Sequence, residues 1–137
     1  MSEPFEILEH TADVGFRVWG TTPAGLFENA ARALMSFTSG TPEAVEETRI
    51  EAAGEDFESL LVNWLSEILY LFDSGRFAPR SFAVETIEPS RLRARLTGEP
   101  RDPARHAWKL IVKAVTYHGI EVAERNGRWE ATVIVDI

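Results

Sequence analysis

The sequence contains no cysteine, which excludes disulfide bonds, thiolate metal ligands and thiol nucleophiles. It also lacks any apolar run near the ~20 residues that a membrane span needs, and its first residues do not follow the basic-then-apolar order of a secretion signal. These absences predict a cytoplasmic protein with no membrane contact. The chain has 137 residues, the length of one ordinary domain, and we expect residues 1–137 to form a single domain.

Standard catalytic and nucleotide-binding motifs are missing as well. There is no GxxxxGK[ST] or GxGxxG loop to hold a nucleotide phosphate, no GxSxG nucleophile turn and no HExxH pair of metal ligands. The three histidines, at positions 10, 106 and 118, lie far apart in the sequence. Hydrolase and zinc-enzyme functions therefore receive no direct support from motifs.

Positive charge is scarce in the first part of the chain, and the formal net charge is −8. Residues 1–75 hold three arginines against fourteen acidic residues, whereas residues 76–137 hold eleven basic residues against eight acidic ones. A uniformly acidic protein repels nucleic acid phosphates. The asymmetry leaves two interpretations open: evenly solvated surface charge, or an acidic face that attracts a basic partner.

What the sequence does contain is a clear order of helix and strand patterns. Apolar residues at helical spacing predict two amphipathic helices, which begin at Thr22-Pro23 and at Asp56. Alternating apolar residues predict strands at 5–9, 16–20, 48–53, 82–87, 91–97, 111–116, 119–124 and 129–137. Asn126-Gly127 predicts a tight hairpin turn. We expect an α+β fold, in which the two helices pack on a largely antiparallel or mixed β-sheet.

Two aspartates and the last residue are candidate metal ligands. The sequence ends in V-D-I within a predicted strand, so the Asp136 side chain and the α-carboxylate of Ile137 lie within a few ångströms at ~3.3 Å per strand residue. Neighbouring anions repel unless a cation lies between them, and hard oxygen ligands suit Ca²⁺ or Mg²⁺. Asp13, in the turn-like segment EHTADVG, would add a third carboxylate if its strand neighbours the last one. Otherwise both aspartates are ordinary solvated residues.

Two further groups of polar residues allow a functional or a structural interpretation. The segment KAVTYH at 113–118 places Lys113 and His118 in an otherwise apolar strand. Their side chains share one site only if that strand bends, and the alternative is a solvated strand end. On the predicted strand 91–97, Arg91, Arg93 and Arg95 all point outward. They either bind phosphate or form the solvated face of an antiparallel sheet.

Several blocks of the sequence resemble the archease family, and the resemblance runs the length of the chain. The blocks are FEILEHTADVG at 5–15, LFENAARAL at 26–34, LLVNWLSEILY at 60–70, GExxDxxxH at 98–106, KAVTYH at 113–118 and VIVDI at 133–137. The resemblance is specific because HTAD near the N-terminus, KAVTYH and the final D-I occur in that order.

Archeases are protein cofactors of the RtcB-type RNA ligase, which joins RNA ends in tRNA splicing and RNA repair. The resemblance implies that this chain promotes guanylylation and multiple turnover of the ligase and is not itself an enzyme. It also implies an α+β domain that binds a divalent cation, expected to be Ca²⁺, through Asp13, Asp136 and Ile137. Whether the ion is functional or structural, and whether RNA is contacted directly, stays open at this point.

The remaining polar candidates fit more than one function. In a ligase cofactor, His10, Lys113 and His118 would orient a metal ligand or face the ligase. In a stand-alone metal-dependent phosphohydrolase, His10 or His118 would act as the base beside the aspartates. A chaperone-like binding module is a third alternative. The missing phosphate loop and the scattered histidines favour the ligase cofactor.

Overall fold

The computed structural model describes residues 3–9 and 13–137 of the chain. Its two α-helices are α1 at Pro23–Met35 and α2 at Phe57–Asp73, and neither described helix is long and apolar enough to cross a membrane. The β-strands in chain order are β1 Phe5–Glu9, β2 Asp13–Gly20, β3 Glu46–Ala53, β4 Ala78–Glu88, β5 Arg91–Glu99, β6 Ala114–Val115, β7 Glu121–Arg125 and β8 Arg128–Asp136.

The two helices lie between two antiparallel sheets. In the five-stranded sheet β2 pairs with β1 and β8, and both β6 and β7 pair with the other edge of β8. The three-stranded sheet has the order β3-β5-β4. Helix α1 packs against β2 and β4, while α2 packs against β3, β6 and β7. The predicted α+β fold is confirmed, with the difference that the strands divide between two sheets on opposite sides of the helices.

Both helices begin at the predicted capping residues. The Thr22 hydroxyl accepts a hydrogen bond from the N–H of Gly25 at 3.0 Å, and Pro23 is the first residue of α1. The Asp56 carboxylate accepts the N–H of Ser59 at 2.8 Å, and the Ser59 hydroxyl accepts the N–H of Asp56 at 3.2 Å. These bonds satisfy N–H groups that have no partner inside a helix. The hydrogen bonds from Ser59 also lower the pKa of the Asp56 carboxyl.

Along the last strand, β8, every second side chain is apolar and packs into the core. Ala131, Val133 and Val135 on β8 are buried toward the helices, as the sequence predicts. The turn before β8 is the predicted hairpin: Asn126 and Gly127 both have positive φ, at 55° and 76°, as a two-residue type I′ turn requires. The turn fixes the register of β7 against β8, and therefore which residues face outward on both strands.

The predicted strand 111–116 is shorter in the structure, where only β6 pairs in a sheet. Just before the predicted strand, the N–H groups of Lys109 and Leu110 donate to the carbonyl oxygen of Phe37, at 2.8 and 3.3 Å. Phe37 follows α1, so this segment is held by the end of a helix. Local apolar alternation could not reveal that contact, because the partner lies far away in the sequence.

The polar loop after β5 is anchored by ionic contacts. Glu99 is buried, and its carboxylate accepts two hydrogen bonds from the Arg105 guanidinium, at 2.7 and 3.1 Å, and one from the N–H of Glu43. The hydrogen bonds from Arg105 lower the pKa of the Glu99 carboxyl most, followed by the bond from the Glu43 N–H, and together they bring it to about 2. Buried His106 accepts the N–H of Asp102 at Nδ1, and its Nε2 lies 3.5 Å from Glu99. These contacts fix the path of the chain toward β6.

Candidate functional site

Asp13 and Asp136 meet at one end of the five-stranded sheet. Asp13 begins β2, Asp136 ends β8, and the antiparallel pairing puts them directly opposite each other. Residues opposed in this way point to the same face of a sheet, with Cβ atoms about 5 Å apart. The neighbouring pair, Val14 and Val135, is buried in the core, so alternation places both aspartates on the outer face. Asp13 is half-buried and Asp136 is exposed.

The surrounding backbone holds this end of β8 firmly. On the side away from β2, Ala114 of β6 is opposite Asp136, and the N–H of Lys113 donates to the Asp136 carbonyl oxygen at 2.8 Å. Asp136 therefore has a paired strand on both sides. Ile137 follows it, half-buried and packed against the core.

Opposed carboxylates are the kind of oxygen ligand that a hard cation prefers. Like charges directly opposite each other in a sheet destabilise it, and a cation between them reverses that effect. Within residues 3–9 and 13–137, no three His, Asp or Glu side chains are grouped to hold a metal ion. The third ligand predicted from the sequence is the α-carboxylate of Ile137. Oxygen ligands of this kind fit Ca²⁺ or Mg²⁺. His10, another predicted candidate, lies outside the described residues.

Lys113 and His118 reach different places along β8. Lys113 contacts Asp136 through its backbone N–H. Thr116 donates both its N–H and its hydroxyl to the carbonyl oxygen of Ile134, at 3.1 and 3.0 Å, which ends the strand. The N–H of His118 then donates to the Thr116 hydroxyl at 3.2 Å, in an exposed turn. The chain therefore turns before the two residues could share one strand face, and only Lys113 adjoins the aspartates.

Two of the three outward arginines of β5 form ion pairs across the three-stranded sheet. Arg93 lies 3.0 Å from Glu51, and Arg95 lies 4.0 Å from Glu47, with both acids on β3. These pairs support the structural interpretation, in which the arginines form the solvated face of a sheet. They also join the acidic first part of the chain to the basic second part, so the charge asymmetry of the sequence is partly cancelled in space.

A second polar cluster, on the outer face of the five-stranded sheet, was not predicted. Its polar residues line a depression of about 420 Å³ and are Arg17, Glu121, Arg125, Arg128, Glu130 and Thr132, which we call the arginine pocket. Part of it could have been found, because the Asn126-Gly127 turn sets Arg125 opposite Arg128. The pairing of β2 with β8, which adds Arg17, is not visible in local sequence.

Known proteins resemble this chain over nearly its whole length. The model of the Archease protein family matches residues 5–137. Protein archease of Methanopyrus kandleri is 40% identical over 139 aligned residues, covering 98% of this chain and 99% of that protein. Protein archease of Pyrococcus abyssi is 38% identical and covers 97% of this chain and 98% of its own.

Solved structures share the layout of two helices and two sheets. The solution structure of Methanobacterium thermoautotrophicum protein 1598 has a TM-score of 0.80 at 33% identity, covering 99% of this chain and all of that one. A crystal structure from Thermotoga maritima, described as an archease and possible chaperone, has a TM-score of 0.70. Its identity is 20%, so this second likeness supports the fold alone.

Proposed function

Because this chain belongs to the archease family, we propose that it is a protein cofactor of an RtcB-type RNA ligase. Such ligases join RNA ends in tRNA splicing and RNA repair. In this proposal the chain promotes guanylylation of the ligase's active-site histidine, and each ligase molecule can then turn over repeatedly. The chain acts by contact with the ligase and catalyses no step itself.

The observation that carries the proposal is the opposed pair of Asp13 and Asp136 at an accessible end of the sheet. We assign the two side chains and the α-carboxylate of Ile137 to a divalent cation, Ca²⁺. Ca²⁺ takes six to eight oxygen ligands, so three carboxylates leave positions for water or for oxygens of the partner. A bound cation would supply positive charge for phosphate oxygens. The strand pairing keeps the two aspartates in register, so they need little rearrangement to bind.

Lys113 and His118 have separate roles in the proposal. The N–H of Lys113 fixes the backbone of Asp136, and its exposed side chain brings positive charge to the same end of the sheet. His118 is exposed in the turn that follows β6. We assign both side chains to contact with the ligase, on either side of the short strand β6.

A chaperone-like module would need a contiguous exposed apolar surface. Among the described residues, the exposed large apolar side chains are distributed over β1, the segment before β3, α2 and both sides of β6: Ile7, Val45, Tyr70, Ile111 and Tyr117. This distribution gives the chaperone function less support than the carboxylate pair gives the ligase cofactor.

The test is a ligase assay with substoichiometric amounts of this protein. The RtcB-type ligase of the same organism is mixed with GTP and excess RNA ends, and both joined RNA and guanylylated ligase are measured. We expect many products per ligase molecule only when this protein is present. Unchanged guanylylation and turnover would refute the proposal. Hydrolysis of a phosphoester by this protein and metal, without ligase, would support the phosphohydrolase instead.

Extending the chain beyond Ile137 is expected to weaken Ca²⁺ binding. A short C-terminal tag moves the free carboxylate away from the aspartates, and the dissociation constant should rise at least about tenfold, since even losing an outer partner of a metal ligand costs that much. Isothermal titration calorimetry measures the effect. An N-terminal tag is the matched control, because Pro4 lies at the opposite end of the sheet, where its carbonyl accepts the N–H of Trp19. Equal affinities for both tagged proteins would remove Ile137 from the site.

A further inference from the structure

We propose that the arginine pocket binds a backbone phosphate of an RNA strand, which makes this protein a direct RNA contact within the ligase complex. The inference rests on the proposed function for the identity of the nucleic acid. It rests on the pocket itself for the chemistry, because planar guanidinium groups match phosphate oxygens with pairs of parallel hydrogen bonds.

Two of the three guanidiniums are already oriented. The Glu130 carboxylate accepts from Arg128 Nε and Nη2 at 2.9 and 2.6 Å, and from Arg125 Nη1 at 3.3 Å. The Glu121 carboxylate accepts a hydrogen bond from Arg125 Nη2 at 2.7 Å. The Arg128 guanidinium also lies over the ring of Trp19, 5.2 Å from its centroid. A guanidinium has five N–H donors, so these contacts leave donors free for a ligand.

Arg17 supplies the charge that the acids do not cancel. Its side chain is exposed, and no carboxylate of residues 3–9 and 13–137 forms an ion pair with it, although Glu6 is opposite it on β1. Thr132, directly opposite Arg17 on β8, adds a hydroxyl donor. The pocket lining therefore brings three guanidiniums together with only two carboxylates, Glu121 and Glu130, while Glu6 lies beside it on β1.

The position of the pocket on the sheet favours an RNA strand, rather than a single nucleotide, as the ligand. Arg17 is on the same strand face as Asp13, and Thr132 on the same face as Asp136. Both separations are four residues, or about 13 Å at the rise of a β-strand. A stacked nucleic acid strand advances ~3.4 Å per nucleotide, so this distance corresponds to roughly four nucleotides. An RNA whose end lies at the aspartates could therefore place a phosphate in the pocket.

The test is fluorescence anisotropy of this protein with a labelled 12-nucleotide single-stranded RNA at several salt concentrations. We expect saturable binding, and Arg17→Ala should weaken it about five- to tenfold, since a charge-assisted hydrogen bond is lost. The dependence of log affinity on log salt should become less steep by about 0.7, the contribution of one phosphate contact on a single strand. Arg93→Ala, which removes an exposed, acid-paired arginine from the other sheet, is the matched control and should leave binding unchanged.

Three results would overturn the inference: no saturable RNA binding, equal loss from Arg17→Ala and Arg93→Ala, or displacement of the RNA by GMP at an affinity equal to that of the RNA. The last result would assign the pocket to a free nucleotide. Stimulation of ligase guanylylation is measured without RNA on the same wild-type preparation. Its absence refutes the proposed function and leaves the RNA-binding result standing, so the two failures are distinguishable.

Discussion

Replacing Asp136 with Asn is expected to reduce stimulation of ligase turnover at least about tenfold while the protein stays folded. Asn keeps the shape of the side chain but removes the charge that a hard cation requires, and disturbing even the partners of a metal ligand costs 10- to 100-fold. The position is exposed and its backbone bonds, to β2 and β6, do not involve the side chain. Multiple-turnover RNA joining, with guanylylated ligase quantified in parallel, measures the loss.

The same variant gives a second readout on stability. Without metal, Asp136→Asn should change the free energy of unfolding by no more than about 0.5 kcal/mol, because the Asp136 side chain is exposed. Added Ca²⁺ should stabilise the wild type, since a ligand that binds only the folded state favours it, and should stabilise the variant far less. Glu124→Gln is the matched control, an exposed acid on β7 away from the aspartates.

Full ligase activation by Asp136→Asn would show that the aspartate end of the sheet is not the working surface. Retained activation together with lost Ca²⁺ stabilisation would leave the ion a structural role, in which it fastens β2 to β8. Asp13→Asn should reproduce the loss of activation, because both side chains are assigned to the same cation. Equal loss in both variants would assign the activation to the shared site. Loss in only one variant would assign it to that aspartate alone.

The largest loss of stability is expected from Trp64→Ala. Trp64 lies on α2 between the sheets and is fully buried. Its indole N–H donates to the carbonyl oxygen of Phe27 on α1 at 2.9 Å, and its ring meets Phe82 of β4 edge to face at 6.4 Å. The substitution leaves a large cavity and removes contacts to two other elements. We expect the free energy of unfolding to fall by about 3–5 kcal/mol, measured by urea denaturation.

Two other variants of α2 serve as controls for this stability measurement. Trp64→Phe keeps an aromatic ring but loses the N–H donor, and should cost less than Trp64→Ala. Tyr70→Ala changes an exposed position on α2 and should stay within about 0.5 kcal/mol of wild type. If Trp64→Ala behaved like Tyr70→Ala, the placement of α2 between the sheets would be wrong.

The cost of a cavity here is high because one core serves both sheets. Helix α1 packs against β2 and β4, so it touches the sheet that carries the aspartates and the sheet that does not. A loss of packing at Trp64 therefore weakens the support of both. The aspartates themselves lie outside this core, which is why their substitution is expected to separate activity from stability.

The local features of this protein follow from short stretches of its sequence. Thr22 and Asp56 begin the helices because a side-chain oxygen can satisfy free N–H groups whatever surrounds it. Asn126-Gly127 makes its turn because both residues tolerate positive φ. The outward position of Asp136 follows from alternation along one strand. All of these depend on residues within a few positions of each other.

Which of these local features become neighbours depends on the tertiary fold. Alternation says which face a residue occupies, but not which strand lies beside it, so the division into two sheets could not be predicted. The same holds for Arg93 and Arg95, whose partner acids come from β3, and for Arg17, which joins Arg125 and Arg128 through β8. The opposition of Asp13 and Asp136 depends on the register of β2 with β8, set by packing of both inner faces onto the helices, because a shift of one residue would turn the buried valines outward.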